Sequence, residues 1–348
     1  MRRINPTSVS IAVPEPAPQG RTQKPRTVTQ VRAEFKNQVI SGLREKPRRL
    51  SSVYFYDDHG SALFDEITRL PEYYLTRAER EILETHADAI DDLIGQEACC
   101  VVDLGAGSGD KTQVILGRMR ERQRDVRYAP VDVSAAALWS AEQSMQRRLP
   151  GLRVDPVHDD YIRGLARVRA AQQGRRLLVL WLGSSIGNYS DAEAIDMLRD
   201  LSAGCGPEDV LLVGFDLLKD PSALIAAYAD SQGVTAEFNY NLLRRINREL
   251  DADFDVEQFM HHATFSPSHS RMESYLISKR QQTVTVAGQR FELDAWEPIH
   301  TEVSCKYSHR KIDELLKAAG LERLALFTDS EQRFADVACR RVSQVERS

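Results

Sequence analysis

Cysteine, tryptophan and long apolar runs are scarce in this sequence, and each shortage removes a class of function. Five cysteines occur in 348 residues. Cys99 and Cys100 are adjacent and Cys205, Cys305 and Cys339 are scattered, so no C-x-x-C spacing exists for metal or dithiol chemistry. An odd, unpatterned set reads as free buried thiols of an intracellular, cytoplasmic protein. The eight histidines lack ligand spacing too, and His261 and His262, as neighbours, cannot share one helix face. No metal is expected. The longest apolar run, Leu177 to Gly183, falls far short of the roughly 18–20 residues a membrane span needs, so no membrane is expected either. A net charge of −5 argues against a nucleic-acid partner. A monomer acting on a small molecule is the remaining expectation.

What is present is the balance of a globular chain, 42% hydrophobic and 28% charged. The first 50 residues differ, with eleven Lys/Arg against three Asp/Glu and with Pro14, Pro16 and Pro18 interrupting any helix. Residues 1–30 therefore read as a disordered basic tail. Residues 31–85 read as helices: one over Val31–Leu43, another around Leu63, Phe64 and Ile67 after Ser61, and a third opened by a Thr76/Glu79 capping box and running to Ile94.

Residues 86–220 then alternate strand and helix. Strands are expected at Cys99–Leu104, Val126–Val133, Val154–Val157, Leu177–Leu182 and Val210–Phe215, with helices at Asp110–Glu121, Ala135–Arg148 and Asp191–Leu201 between them. This rhythm implies an α/β fold with a parallel, doubly wound sheet. Residues 221–310 change to an α+β pattern. Helices are expected at Leu224–Asp230 and Asn239–Leu250, and strands at Arg271–Ser278, Gln282–Val286, from Glu292, and at Glu302–Tyr307. Residues 311–348 close the chain with a helix, Arg310–Ala319, and one strand, Val337–Val342, expected to return to the first sheet.

The segment from Val101 to Gly109 carries Gly105, Gly107 and Gly109 between strand and helix, where a backbone without Cβ atoms can approach a ligand. Asp132 closes the next strand and can accept from ribose hydroxyls. The G-x-G-x-G spacing after Asp103 differs from the G-x-G-x-x-G of dinucleotide folds, which speaks against a nicotinamide cofactor. It resembles the first motif of class I (Rossmann-like) methyltransferases, and so points to S-adenosylmethionine. Asp160 and Tyr161 are placed to bracket an adenine. Lys111 puts a cation at a helix start, where it is unfavourable alone, so a cofactor carboxylate would explain it.

Five longer stretches carry a closer resemblance. They are Tyr54 to Arg77 (YFYDDHGSALFDEITRLPEYYLTR), the glycine loop, Leu182 to Asn188 (LGSSIGN), Asp251 to Asp255 (DADFD) and Thr301 to Lys306 (TEVSCK). In order and spacing these resemble the histidine Nα-methyltransferases of ergothioneine biosynthesis from about residue 40 onward. The resemblance implies a class I methyltransferase domain with an additional α+β substrate-binding domain, S-adenosylmethionine as methyl donor, and trimethylation of L-histidine to hercynine.

It also implies residue roles. Asn188 and Tyr228 would hold the substrate carboxylate, Glu302 and Ser304 the imidazole, and Tyr56 would sit beside the amine. Tyr73 would lie near the imidazole, and Phe64 and Gly183 would line the pocket. Tyr54, Phe55 and Tyr74 are read as core. Glu302 and Ser304, two apart on a strand, share a face, as two contacts to one ring require. An ordinary tyrosine titrates near ~10, so Tyr56 is an orienting group rather than a base. One position departs from the family: its Ile-Glu-Met stretch is Met272-Glu273-Ser274 here. Ser274 therefore leaves another aromatic amino acid as the alternative substrate.

Overall fold

A computed structural model describes residues 28–122 and 124–342. The expected basic tail lies outside the described residues except at its end, where the first helix, Val28–Arg44, has already begun. No helix among the described residues is long and apolar enough to cross a membrane.

The central element is an eight-stranded sheet. Its order is Leu321–Thr328, Phe334–Arg341, Val210–Asp216, Arg176–Trp181, Cys99–Leu104, Val126–Asp132 and Arg153–Val154, with Val157–His158 also pairing to Val126–Asp132. Its chain-central strands are almost wholly buried, because helices cover both faces and leave no polar side. From Arg153–Val154 to Val210–Asp216 all pairings are parallel. The last two strands are antiparallel, so the chain closes on a hairpin rather than the single strand expected. The strand read over Val154–Val157 is two short ones, since Pro156 lacks the N–H that would continue the ladder.

A second, four-stranded sheet runs Arg48–Arg49, Pro298–Cys305, Arg271–Ser278 and Phe259–Ser266, beside a hairpin of Gln282–Val286 and Gln289–Leu293. Phe259–Ser266 gives a weak signal in sequence because its two central histidines interrupt the apolar alternation. The helix Val234–Leu250 buries Phe238, Leu242, Leu243 and Ile246, spaced for one helical face, into the core between this sheet and the N-terminal helices.

Two helix starts have reasons other than those expected. Asp57, not Ser61, caps Asp58–Ile67 by accepting the Gly60 N–H at 2.8 Å. No capping box forms at Thr76: the helix Leu75–Ile94 begins one residue earlier, with no side-chain cap. Glu79 is turned inward instead, 1% exposed, and serves the loops described next.

Strand Pro298–Cys305 carries a bulge between His300 and Glu302. Ile299 and Thr301 are buried before it, and Ser304 after it. The extra residue shifts the alternation by one, so Glu302 and Ser304 oppose Ser274 and Met272, the inward residues of the neighbouring strand.

Candidate functional site

The carboxyl ends of the parallel strands converge, which is where open α/β sheets take ligands. Cys99–Leu104 delivers the glycine loop, with Gly105, Gly107 and Gly109 all at positive φ (74°, 52° and 72°). At Gly105 the reason is also steric: a Cβ would lie 2.9 Å from the Tyr161 hydroxyl. At Gly107 a Cβ would meet nothing within 4 Å, so the loop faces open space there. Asp132 accepts the Gly107 N–H at 3.3 Å and the Ser134 N–H at 2.8 Å. Burial nonetheless raises its carboxyl above the usual range. Open space over bare backbone, beside a half-buried carboxylate at the end of the next strand, fits an adenosyl group with a ribose diol.

Asp160 and Tyr161 begin the helix Tyr161–Ala171. Asp160 is its N-cap, accepting the Arg163 N–H at 3.0 Å, and the Tyr161 hydroxyl reaches back to the glycine loop. Lys111 is not the unpaired cation its position suggested. Its ammonium pairs with Glu79, whose other oxygen accepts the Gly183 N–H at 2.6 Å. Glu79 thus ties the start of the helix after the glycine loop to the loop that precedes Asn188. Beside it the fully buried Asp336 carboxyl has no hydrogen-bond partner among the described residues, and burial, then Glu79, push it well above the usual carboxylate range.

On the other side, Tyr56, Phe64 and Tyr73 come together as a chain of edge-on rings, Tyr56–Phe64 at 5.5 Å and Phe64–Tyr73 at 6.2 Å between centroids. Phe238, which the sequence did not single out, packs against Tyr56 at 5.6 Å and Phe64 at 6.0 Å. Burial first and Glu302 second push the Tyr56 hydroxyl above the ordinary tyrosine range, with smaller contributions from Tyr161, Tyr228 and Asp132. Tyr56 therefore feels both the glycine-loop side and the Glu302 side, and stays protonated at neutral pH. Tyr73 is raised for the same first reason, then by Tyr228, Tyr56 and Glu302.

Burial pushes the Glu302 carboxyl up to about 7, opposed by the nearby Lys306 and by the Ser274 hydroxyl. Ser274, 1% exposed, donates to Glu302 Oε2 at 3.4 Å. Ser304 is buried and engaged: its Oγ accepts from the Tyr228 hydroxyl at 2.7 Å and from Lys306 Nζ at 2.8 Å. Tyr228, expected at a substrate carboxylate, here spends its hydrogen on Ser304. Tyr74 is core by burial, yet its hydroxyl donates to Asp216 at 2.8 Å. Lys306, Asp216, Glu79 and Phe238 are thus the residues the sequence did not select. Only Lys306 left a sign, two positions beyond Ser304 and just past the end of its strand.

Asn188 and Gly183 are exposed at the end of strand Arg176–Trp181. The short 3-10 turn Ser185–Asn188 presses on the Glu302 strand so tightly that a Cβ on Gly187 would lie 3.1 Å from the Cys305 carbonyl oxygen and 3.4 Å from Ser304 Oγ. Asn188 is the next residue along this turn.

Taken together, the geometry sets an open glycine loop against a half-buried carboxylate and a row of tyrosines. A family model described as histidine-specific methyltransferase, SAM-dependent, matches residues 35–341. The chain is 40% identical over 302 residues to a histidine N-alpha-methyltransferase of Mycobacterium tuberculosis, covering 86% of this chain and 92% of that one. It is 41% identical over 297 residues to the histidine N-alpha-methyltransferase of Mycolicibacterium smegmatis, covering 85% and 91%. Ergothioneine biosynthesis protein 1 of Neurospora crassa is 29% identical over 318 residues, covering 86% of this chain and 34% of that longer protein.

Proposed function

The chain belongs to the histidine-specific, S-adenosylmethionine-dependent methyltransferase family, and from that premise we propose that it converts L-histidine to its Nα-trimethyl betaine, hercynine, the opening step of ergothioneine biosynthesis. The observation that carries the substrate is the pairing of a half-buried acceptor, Glu302, with a buried hydroxyl, Ser304, on one face of one strand. An imidazole ring offers one N–H and one free nitrogen at fixed spacing, and these two groups answer them.

S-adenosylmethionine supplies an electrophilic methyl on a sulfonium. Gly105, Gly107 and Asp132 hold its nucleoside end in this reading, with Asp160 and Tyr161 at the adenine and Lys111 at its carboxylate. Asn188 takes the substrate carboxylate, and Tyr228, its hydrogen spent on Ser304, flanks it. Phe64, Tyr73 and Gly183 shape the pocket. Tyr56 stands between the two halves. Its hydroxyl, protonated at neutral pH, orients the α-amine and does not deprotonate it. The amine must arrive neutral with its lone pair aimed at the methyl, so positioning supplies most of the acceleration. The chain acts as a cytoplasmic monomer, and the sheet that bears Glu302 forms a substrate-binding domain beside the methyltransferase domain.

The test is incubation with L-histidine and S-adenosylmethionine, followed by mass spectrometry. A gain of up to three methyl groups is expected, and absence of any methylated histidine rejects the reading. Ser274 favours a second reading, since serine stands where the family has methionine and enlarges the pocket. A competition panel with tryptophan and tyrosine decides it.

A further inference from the structure

Lys306 has no place in the roles assigned so far, yet it is wholly buried and its ammonium is saturated. It donates to Asp216 Oδ2 at 2.8 Å, to Ser304 Oγ at 2.8 Å and to the Tyr228 hydroxyl oxygen at 3.0 Å. Three N–H groups meet three acceptors, which is the full capacity of a lysine. Asp216 is held in turn by Tyr74 and Lys219, so Lys306 Nζ is anchored from behind.

The hydrogen count has a consequence for Ser304. A hydroxyl has two acceptor sites and one hydrogen. Both acceptor sites of Ser304 are filled, one by Lys306 and one by Tyr228 at 2.7 Å. Its own hydrogen has no use inside this cluster and points elsewhere. Tyr228 cannot take it, because the single oxygen-to-oxygen contact between the two already carries the Tyr228 hydrogen. Glu302, one alternation away on the same strand face, is by contrast an acceptor whenever it is ionised.

We propose that Lys306 is a positioning residue that fixes Ser304 as a hydrogen donor towards the substrate, so that the pocket recognises a ring with one N–H and one unprotonated nitrogen. The inference rests on the reading that Glu302 and Ser304 meet the imidazole. It goes beyond that reading in naming the group that sets the polarity of the contact. A ring that has an N–H but no acceptor nitrogen leaves the Ser304 hydrogen unpaired and is rejected for that reason, independently of its size.

The experiment uses L-histidine and the two β-pyrrolylalanines, each of which keeps the ring N–H and replaces the other nitrogen by carbon. The wild-type protein is expected to favour histidine over the better pyrrole analogue by roughly 100-fold in kcat/KM. In Lys306→Met, Ser304 regains a free acceptor site and can turn, and the ratio falls to about tenfold or less. The KM for S-adenosylmethionine stays as in wild type, which a general structural defect would not allow. Lys306→Met/Asp216→Asn avoids stranding a buried carboxylate if the single variant folds poorly. Tyr228→Phe removes the second donor without touching a charge, and lowers the ratio by about threefold. An unchanged ratio in any folded member of this set overturns the inference while leaving the substrate intact. A wild-type protein that does not methylate histidine at all overturns the substrate reading and this inference with it.

Discussion

The cofactor side and the substrate side of this molecule are built from different materials. On the cofactor side the determinants lie close together in sequence, from Gly105 to Tyr161, and much of the recognition falls to backbone: positive-φ glycines, open space at Gly107, and Asp132 pinned by two main-chain N–H groups. On the proposed substrate side the determinants, Gly183 apart, are side chains, and they come from segments as far apart as Tyr56 and Ser304. Backbone recognition is encoded locally, by glycines whose positive φ leaves little room for replacement. Side-chain recognition is specific, and it depends on a buried polar cluster whose members are fixed by one another.

Substitutions that act on one side only should expose this difference. The largest effect is expected from Glu302→Ala, which removes the ring acceptor and should raise the KM for histidine by about 100-fold with little change in S-adenosylmethionine affinity. Steady-state kinetics with each substrate varied in turn checks it, and equal losses on both sides would break the comparison. Asp132→Ala is the mirror image: cofactor binding measured by calorimetry should weaken about 30-fold while the KM for histidine barely moves.

Glu79→Gln tests the one residue that touches both sides, through Lys111 and the Gly183 N–H. It should weaken each substrate by about tenfold, because both loops lose their shared anchor. A change confined to one substrate would show that Glu79 braces only one loop.

The pH profile gives a subtler separation. The folded Glu302 carboxyl sits at about 7, above the ordinary carboxylate range, so it is neutral below that pH and an acceptor above it. The kcat/KM for histidine should therefore rise through pH 7, by up to about tenfold per unit on the acid side. Glu302→Gln should remove that part of the rise, and its persistence would assign the limb to another group. The smallest effect belongs to Ser274→Met, which refills the pocket but removes the hydroxyl that meets Glu302. About a threefold change in KM for histidine is expected, with reduced turnover of any larger amino acid.

The same contrast explains what could be read from the sequence. The parallel sheet was legible because its central strands are mostly apolar runs, and Ala135–Arg148 falls on the residues its periodicity implied. The glycine loop and Asp132 were legible because their spacing is local. Glu302, Ser304, Asn188 and Tyr228 could be selected only through family resemblance, since nothing in their own neighbourhoods marks them. Glu79 was misread outright: three residues after Thr76 it imitates a capping box, and only tertiary packing shows that it faces inward. Lys111 misled for the same reason, its partner lying 32 residues away. Lys306, buried against Asp216 from a remote strand, is a pairing no local pattern encodes.

The bulge at His300 and Glu302 makes the Pro298–Cys305 strand behave like text read in a frame. Everything before it is spelled in one phase and everything after it in the other. Removing Thr301 would take out only the extra residue: the strand would become regular, and Glu302 and Ser304 would still face Ser274 and Met272. A relative without the extra residue would keep Glu302 and Ser304 on one face and lose only what Thr301 itself holds, the Asn239 side chain and the Ser274 carbonyl. The spacing of Glu302 and Ser304, not the strand's length before them, is what a search for functional members of the family should hold constant.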